Sequence, residues 1–291
     1  MKKLYAILLC LLGSTFLLHA ETLEKQIQVA SFNRIDASSI YHIEVQQGSS
    51  RAVDLVYSEK LQSYLEVYVS NGTLYLRLDL PLLSKHLLLS EEKIQVKVQT
   101  NELTSVVLSG AASISVEGEY EADRFTLDLS GASQVEGELQ IDADRFDYAL
   151  SGASEASVRG DFDVVRGEVS GASSFYLYGD ADELDIECSG ASNVVYAGDV
   201  SERIKVDCSG ASATRLTGKT REIVVDCSGA STVEAAEMIA EDGTANASGL
   251  SSVRIYGSQS LNLKSSSNSK IKYYGDPKKL SQPQAPVQRG N

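Results

Sequence analysis

Pairs of carboxylates recur along the middle of this 291-residue chain. Four times an acid, one other residue and a second acid precede a recurring serine by nine and seven residues, at Glu121 and Asp123, Asp142 and Asp144, Asp161 and Asp163, and Asp180 and Asp182. Carboxylate oxygens are hard ligands that suit Ca²⁺, and like charges on neighbouring strands repel each other. A solvated acidic corner that keeps the protein soluble is the simpler explanation, and a cation site in which the pairs are metal ligands is the alternative.

Tyrosines form a second candidate group. Tyr176 and Tyr178 lie on one repeat, and Tyr256 and Tyr274 lie on two adjacent repeats, at positions that should face outward. Exposed rings on a flat β-face can stack on sugars while the hydroxyl stays in contact with water. Tyrosine is also a common strand residue. We treat the four as candidate glycan contacts.

A further acidic column lies two residues before the serine, at Glu168, Glu187, Asp207 and Asp226. Its neighbouring column alternates Arg166, Asp185 and Lys205, which could pair with it. This pattern is typical of a charged surface.

The recurring serine is a poor candidate nucleophile. Its copies are nearly equivalent, and only His42 and His86 follow the first twenty residues as bases. We therefore predict no catalytic residue and no enzymatic activity, and Ca²⁺ is the only cofactor that the acids suggest.

The serine opens a phrase, Ser-Gly-Ala-Ser or a close relative, that occurs nine times between Ser109 and Gly275 at spacings of 18 to 21 residues. Apolar residues lie one, three and five positions before it, as in Ile204, Val206 and Cys208, and five and seven positions after it, as in Val253 and Ile255. Alternation with a period of two predicts half-buried strands. Each repeat is therefore two strands joined by a Ser-Gly corner.

A unit this short cannot bury its own apolar face, so neighbouring units must stack. We predict an all-β parallel β-helix of about nine coils over residues 101–275. A propeller is the alternative, but its blades need about 40 residues each.

Both ends differ from the repeats. Residues 21–100 contain alternating runs around Asn71-Gly72, a strong hairpin signal, and we expect this segment to pack on the first coil. Residues 276–291 hold three prolines and few apolar residues, which predicts a disordered tail.

The first twenty residues have the layout of a signal peptide, with Lys2 and Lys3, an apolar run from Leu4 to Leu18, and Ala20 before Glu21. No later apolar run reaches the roughly 20 residues that cross a bilayer. We expect an exported protein in the periplasm, on the outer-membrane surface or outside the cell. The formal charge of −14 argues against a nucleic-acid partner.

Cys188, Cys208 and Cys227 each immediately precede the phrase. Other repeats place Leu or Val there, which favours a core column. One disulfide between stacked neighbours is the alternative, and the spacing is not that of a zinc site.

Several of these features resemble the putative auto-transporter adhesin, head-GIN domain family of secreted bacterial proteins. The resemblance covers residues 32–275 and rests on Phe32-Asn-Arg-Ile35, Gln46-Gln-Gly48, Asn71-Gly-Thr-Leu-Tyr-Leu76 and the Ser-Gly-Ala-Ser coils. It implies a right-handed β-helical domain and an adhesin role, and it supplies no catalytic residues.

We therefore expect an exported, non-enzymatic envelope protein that binds a cell-surface protein or glycan, with its oligomeric state open. The alternative is a Ca²⁺-dependent polysaccharide-binding protein or polysaccharide lyase. A lyase needs a basic residue beside the acids, for which Arg159 and Arg166 are the near candidates.

Overall fold

The computed structural model describes residues 22–80, 93–266, 268–282 and 287–290. The predicted signal peptide at residues 1–20 lies outside them. The strands are β1 (Thr22–Gln28), β2 (Arg34–Ser39), β3 (Tyr41–Gln46), β4 (Ala52–Ser58), β5 (Leu65–Ser70), β6 (Thr73–Leu78), β7 (Ile94–Gln99), β8 (Ser105–Gly110), β9 (Ser113–Glu117), β10 (Glu119–Leu129), β11 (Gln134–Val135), β12 (Leu139–Leu150), β13 (Glu155–Arg159), β14 (Phe162–Val169), β15 (Ser174–Tyr178), β16 (Ala181–Cys188), β17 (Asn193–Ala197), β18 (Val200–Cys208), β19 (Ala213–Cys227), β20 (Thr232–Ala247), β21 (Ser252–Tyr256), β22 (Ser260–Ser265), β23 (Lys270–Tyr274), β24 (Lys279–Ser281) and β25 (Val287–Arg289). A short 3₁₀ helix spans Glu59–Tyr64.

The repeats stack as parallel coils, which confirms the predicted β-helix. β14 pairs in parallel with β12 and β16, and β15 pairs in parallel with β13 and β17. The register follows the phrase, so Val169 lies opposite Cys188 and Phe175 opposite Val194. Equivalent positions therefore form columns along the rod.

The inward columns form one continuous core. Phe125, Phe146 and Phe175 are fully buried. The Phe146 ring centroid lies 5.9 Å from that of Phe125 and 5.3 Å from that of Phe162. These separations suit attractive ring pairs, so the core is stabilised by contacts between coils as well as by burial.

The Ser-Gly corner requires glycine for two reasons. Gly190 has a φ of 70°, in the left-handed region that favours glycine. A Cβ there would also lie 2.6 Å from the carbonyl oxygen of Gly171 on the preceding coil. The last serine of the phrase turns inward, and its hydroxyl donates to the carbonyl of the first, as from Ser212 to Ser209 at 2.8 Å.

The N-terminal segment adds further coils. β2 and β3 pair in parallel with β8 and β9, and β6 and β7 pair in parallel with β2 and β3 on the other side. Ser39 has a φ of 85° opposite Gly110, where the repeats have glycine. Antiparallel β5 and β4 then cover β6 and β7, and β1 covers β4.

The C-terminal residues differ from the predicted disordered tail. β24 pairs in parallel with β22, and β25 pairs in parallel with β23. Leu280 lies opposite Leu261, and Val287 opposite Ile271, so both continue columns of inward residues in register, although Leu280 itself is exposed. The open edge of the last coil binds these short segments through backbone hydrogen bonds, which a sparse apolar pattern does not reveal.

The three cysteines occupy one buried column and are free thiols. The Sγ atoms of Cys188 and Cys208 are 2.7 Å apart, and both contact the Thr214 hydroxyl. Burial raises the pKa of the Cys227 thiol. The structure thus favours the core interpretation over the disulfide.

Among the described residues, no helix is long and apolar enough to cross a membrane.

Candidate functional site

The eight predicted acids line a groove of about 1240 Å³ that runs along one corner of the rod. We call it the acidic groove, and it is also lined by Asp199, Ser201, Lys219, Thr220, Ile239, Glu241 and Ser258. The structure therefore brings the whole predicted set together.

The residue between the two acids explains how each pair is positioned. Ala143, Phe162 and Ala181 turn into the core and are only 6–7% exposed. The acids on either side must then face outward, because successive side chains of a strand alternate. Parallel register repeats this geometry from coil to coil, as Ala143 lies opposite Phe162 and Phe162 opposite Ala181.

The inner row of acids forms a ladder of hydrogen bonds with the backbone. The carboxylate of Asp142 accepts the backbone N–H of Asp161 at 2.9 Å, and that of Asp161 accepts the N–H of Asp180 at 3.2 Å. Asp180 accepts from Asp199 at 2.8 Å, and Asp199 accepts from Lys219 at 2.9 Å. Hydrogen bonds to a charged acceptor are strong, and they offset the repulsion between stacked carboxylates.

The outer row, Asp123, Asp144, Asp163 and Asp182, is exposed. Asp182 accepts a hydrogen bond of 2.5 Å from Ser201. Within the described part of the chain, no ion pair involves any of the eight acids. The groove therefore presents uncompensated negative charge.

Tyr196 lies under the groove and responds to this charge. Burial, aided by the carboxylates of Asp180 and Asp199, raises the pKa of its hydroxyl. The hydroxyl stays protonated and donates to the Gly179 carbonyl at 2.9 Å. It thereby fixes the second corner of the coil beneath the inner row.

The carboxylates do not converge on a point. Among the residues that the structure describes, no group of three or more His, Cys, Asp or Glu side chains is placed to hold a metal ion. The acids lie in rows along the rod, with strands about 4.8 Å apart, whereas Ca²⁺ takes six to eight oxygens within about 2.6 Å. The chemistry that this arrangement supports is attraction of an extended positive partner.

The two basic residues expected beside the acids are engaged elsewhere. Arg159 pairs with Glu138 at 2.7 Å, and Arg166 pairs with Glu183 and Asp185 at 3.0 and 3.1 Å. Neither lines the acidic groove. Lys219 does line it, and sequence reasoning missed this residue together with Asp199.

The second acidic column lines another groove, of about 700 Å³, with Glu168, Glu187, Asp207 and Asp226. Lys205 pairs with Asp207 in this column, and the Asn246 amide donates to Asp226 at 2.7 Å. Part of its charge is therefore satisfied within the chain.

The four tyrosines share an outward face but form two separate pairs. Tyr178 is followed in its column by Ala197, Thr217 and Glu237 before Tyr256 and Tyr274 are reached. Arg159 lies over the Tyr178 ring at 5.0 Å. A Cβ on Gly290 would lie only 2.2 Å from the Tyr274 ring, so Gly290, the residue after β25, already packs against that ring. The rings do not form one continuous platform.

Comparison with known proteins places these features in context. Residues 31–180 and 168–277 match the model of a family described as putative auto-transporter adhesin, head GIN domain. A putative adhesin from Parabacteroides distasonis ATCC 8503 is 15% identical with a TM-score of 0.54, and the match covers 93% of this chain and 98% of that one. A putative adhesin from Parabacteroides merdae ATCC 43184 is 14% identical with a TM-score of 0.44, covering 93% and 97%.

At 15% identity the Parabacteroides distasonis structure supports the fold alone, and a search of curated proteins found no match. The family model, however, covers most of the chain. The chain therefore belongs to the putative auto-transporter adhesin, head GIN domain family.

Proposed function

We propose that this chain is an exported, non-enzymatic, adhesin-like module of the cell envelope that binds a surface protein along the acidic groove. The observation that carries the proposal is the set of eight outward acids, without ion pairs among the described residues, in one groove on four consecutive coils. Complementary charge steers partners to such a surface and suppresses wrong ones. The matching partner is an extended segment rich in Lys or Arg.

The hydroxyl and imidazole groups support a non-enzymatic role. Corner serines such as Ser231 donate to backbone carbonyls, here to Ser228 at 2.6 Å. The His42 Nδ1 atom contacts both the Ser113 hydroxyl, at 2.9 Å, and Glu136, at 3.2 Å. A catalytic triad requires the serine and the acid on opposite ring nitrogens, so this cluster does not have the arrangement of a triad.

Binding of a fluorescent deca-lysine peptide tests the groove. Asp144→Asn with Asp163→Asn removes two outer-row charges, and we expect affinity to fall about 2- to 30-fold, from roughly 0.4–2 kcal/mol for two exposed charge pairs. Glu168→Gln with Glu187→Gln removes the same charge from the second column and should change affinity less than about twofold. Equal losses in the two variants would mean that net charge, and not the groove, attracts the peptide.

Export is tested separately. In cells that express residues 1–291, the protein should be found outside the cytoplasmic fraction with residues 1–20 removed. A variant without residues 2–20 should be found in the cytoplasmic fraction. An intact N-terminus on the wild-type protein would contradict a cleaved signal peptide.

A second candidate function is Ca²⁺-dependent polysaccharide binding. It is favoured by the inner row, where Asp142, Asp161 and Asp180 each use one oxygen in the ladder. Polygalacturonate that binds in Ca²⁺ but not in Mg²⁺ at equal ionic strength would support it. Loss of that binding in Asp144→Asn with Asp163→Asn would assign it to the groove.

A further inference from the structure

Acidic and basic side chains are separated along another face of the rod. We call it the tyrosine face, defined as the outward side of β9, β11, β13, β15, β17, the first halves of β19 and β20, β21 and β23, with the adjoining links. Toward its N-terminal end it carries Glu117, Glu136, Glu138, Glu155 and Arg159. Toward its C-terminal end it carries Arg215, Glu234, Glu237, Arg254, Lys270 and Lys272. Four acids and one base thus give a net charge of −3 at one end, while four bases and two acids give +2 at the other.

The middle of the face is uncharged. β15 presents Tyr176 and Tyr178, and β17 presents Asn193, Val195 and Ala197. Strand pairing places β17 four coils from β9 and four coils from β23. β9 and β23 are therefore equally distant from β17, and the ends that they mark are opposite in charge. Beyond them the columns continue onto β3 and β7 at one end and onto β25 at the other.

This order makes the face complementary to itself when a second copy is turned end for end. A two-fold axis through β17, in the plane of the face and perpendicular to the rod, places each coil before β17 on the equivalent coil after β17. Each column then meets the same column of the other copy. The resulting pairs are Glu136 with Arg254, Arg159 with Glu237, Tyr176 with Arg215, and Val195 with Val195.

The charges at the ends agree with this arrangement. Glu117 meets Tyr274, whose coil carries Lys272 and Lys270 in the neighbouring columns, and both ends of the interface repeat the contact. Arg215 meets the ring of Tyr176, a geometry in which a guanidinium is attracted to the π-face. A parallel arrangement would instead place Glu136 against its own copy, and like charges facing each other are unfavourable.

We propose that two copies of this chain dock antiparallel through the tyrosine face, about an axis that crosses β17. The small and apolar side chains of β17 lie at the centre, and the charged residues surround them at both ends. This is the usual anatomy of an interface, with an apolar core and a polar rim.

The area is sufficient. Five residues of strand span roughly 17 Å, and eight steps between coils span roughly 38 Å, at about 3.3 Å per residue and 4.8 Å per strand. The face therefore covers about 650 Å² on each copy, or about 1,300 Å² in total, within the range of specific interfaces. The ion pairs already present on the face, such as Arg254 with Glu234 at 3.2 Å, are exposed. Exposed ion pairs stabilise the monomer little, so exchanging them for pairs between two copies costs little.

Sedimentation equilibrium on the purified chain with paired charge reversals tests the proposal. An acid-end variant carries Glu117→Lys and Glu136→Lys, and a base-end variant carries Arg254→Glu and Lys272→Glu. Each variant alone turns attractive contacts into repulsive ones at both ends of the dimer, so its dissociation constant should rise at least about 100-fold. An equimolar mixture restores opposite charges at both ends and should form a heterodimer as tight as the wild-type dimer, within about tenfold.

A control variant with Glu168→Lys and Glu187→Lys reverses two charges away from the face and should remain dimeric. Circular dichroism should show the same strand content in all variants, since the altered side chains are outward. A monomeric wild-type chain at about 100 µM would overturn the proposal, and so would a mixture of the two variants that stays monomeric. Variants that dimerise as well as the wild type would place any dimer on another surface.

Discussion

The strongest test of the coil geometry is the substitution Gly190→Ala. Gly190 has a φ of 70°, and a Cβ there would lie 2.6 Å from the Gly171 carbonyl oxygen. An ordinary contact needs at least 3.4 Å, so the two corners must separate by about 0.8 Å. The hydrogen bond from the Ala191 N–H to the same oxygen, now 2.7 Å, would then stretch to about 3.5 Å, beyond the usual range.

The expected cost has two parts. The left-handed backbone costs alanine about 1–2 kcal/mol, and the weakened hydrogen bond costs about 0.5–1.5 kcal/mol more, giving roughly 1.5–3.5 kcal/mol. At about 2–4 °C per kcal/mol for a chain of this size, the melting temperature should fall by roughly 3–14 °C.

Gly137→Ala is the matched control. Gly137 has a φ of 80°, but a Cβ there meets nothing within 4 Å. It carries only the backbone part, so the fall should be about half as large, measured by thermal melting followed by circular dichroism. Equal falls in the two variants would refute the argument from contact between coils and leave φ as the only reason for glycine.

Four further outcomes follow from the structure. Phe146→Ala should lose about 3–5 kcal/mol in urea unfolding, because the ring is fully buried among other rings; a loss below about 1 kcal/mol would mean that the core collapses around the gap. Asp161→Ala removes an acceptor for a backbone N–H and should lower the free energy of unfolding by about 1–2 kcal/mol. Asp163→Ala in the outer row should change it by less than about 0.5 kcal/mol. A larger loss for Asp163→Ala than for Asp161→Ala would contradict a stabilising role of the hydrogen-bond ladder. The buried thiols should resist a thiol reagent in the folded protein, whereas all three cysteines of residues 21–291 react in urea, and rapid native labelling of Cys227 would contradict its burial. Because no metal cluster exists among the described residues, Ca²⁺ and Mg²⁺ at equal ionic strength should shift the melting temperature equally, and a rise of several degrees with Ca²⁺ alone would restore the calcium hypothesis.

The regular part of the fold was predictable because one pattern repeats with little change. Apolar residues such as Ile204 and Ile223 hold the same place relative to the phrase, so a shift of one residue would expose a whole column. The small Ser-Gly corners then leave stacking as the arrangement that buries every coil. The eight acids were predictable as a set for the same reason, since columns follow directly from register.

The parts that were missed depend on backbone contacts. The sequence shows that Asp161 faces outward, but not that its carboxylate receives the N–H of the next coil. Asp199 lies ten residues before its serine instead of nine and lacks a second acid, so it fell outside the pattern. Around β2 and β3 the phrase is absent, with Ser39 in the glycine position. Only the strand pairing in the structure shows that β2 and β3 form a coil.

The position of β2 and β3 between β6–β7 and β8–β9 has a consequence for the order of folding. Coils within the repeats pair residues about 20 apart, whereas His42 contacts Ser113 across 71 residues of chain. At a synthesis rate of about 5–20 residues per second, β2 and β3 wait roughly 4–14 seconds before β8 and β9 exist. During that interval the edges that β8 and β9 will cover are unpaired, even after β6 and β7 have paired with the opposite edges, and unpaired edges are where strands of other chains add. β2 and β3 are thus exposed to misassembly for longer than the strands of the repeats, and a chaperone that shields strand edges would protect this protein most effectively at residues 34–46.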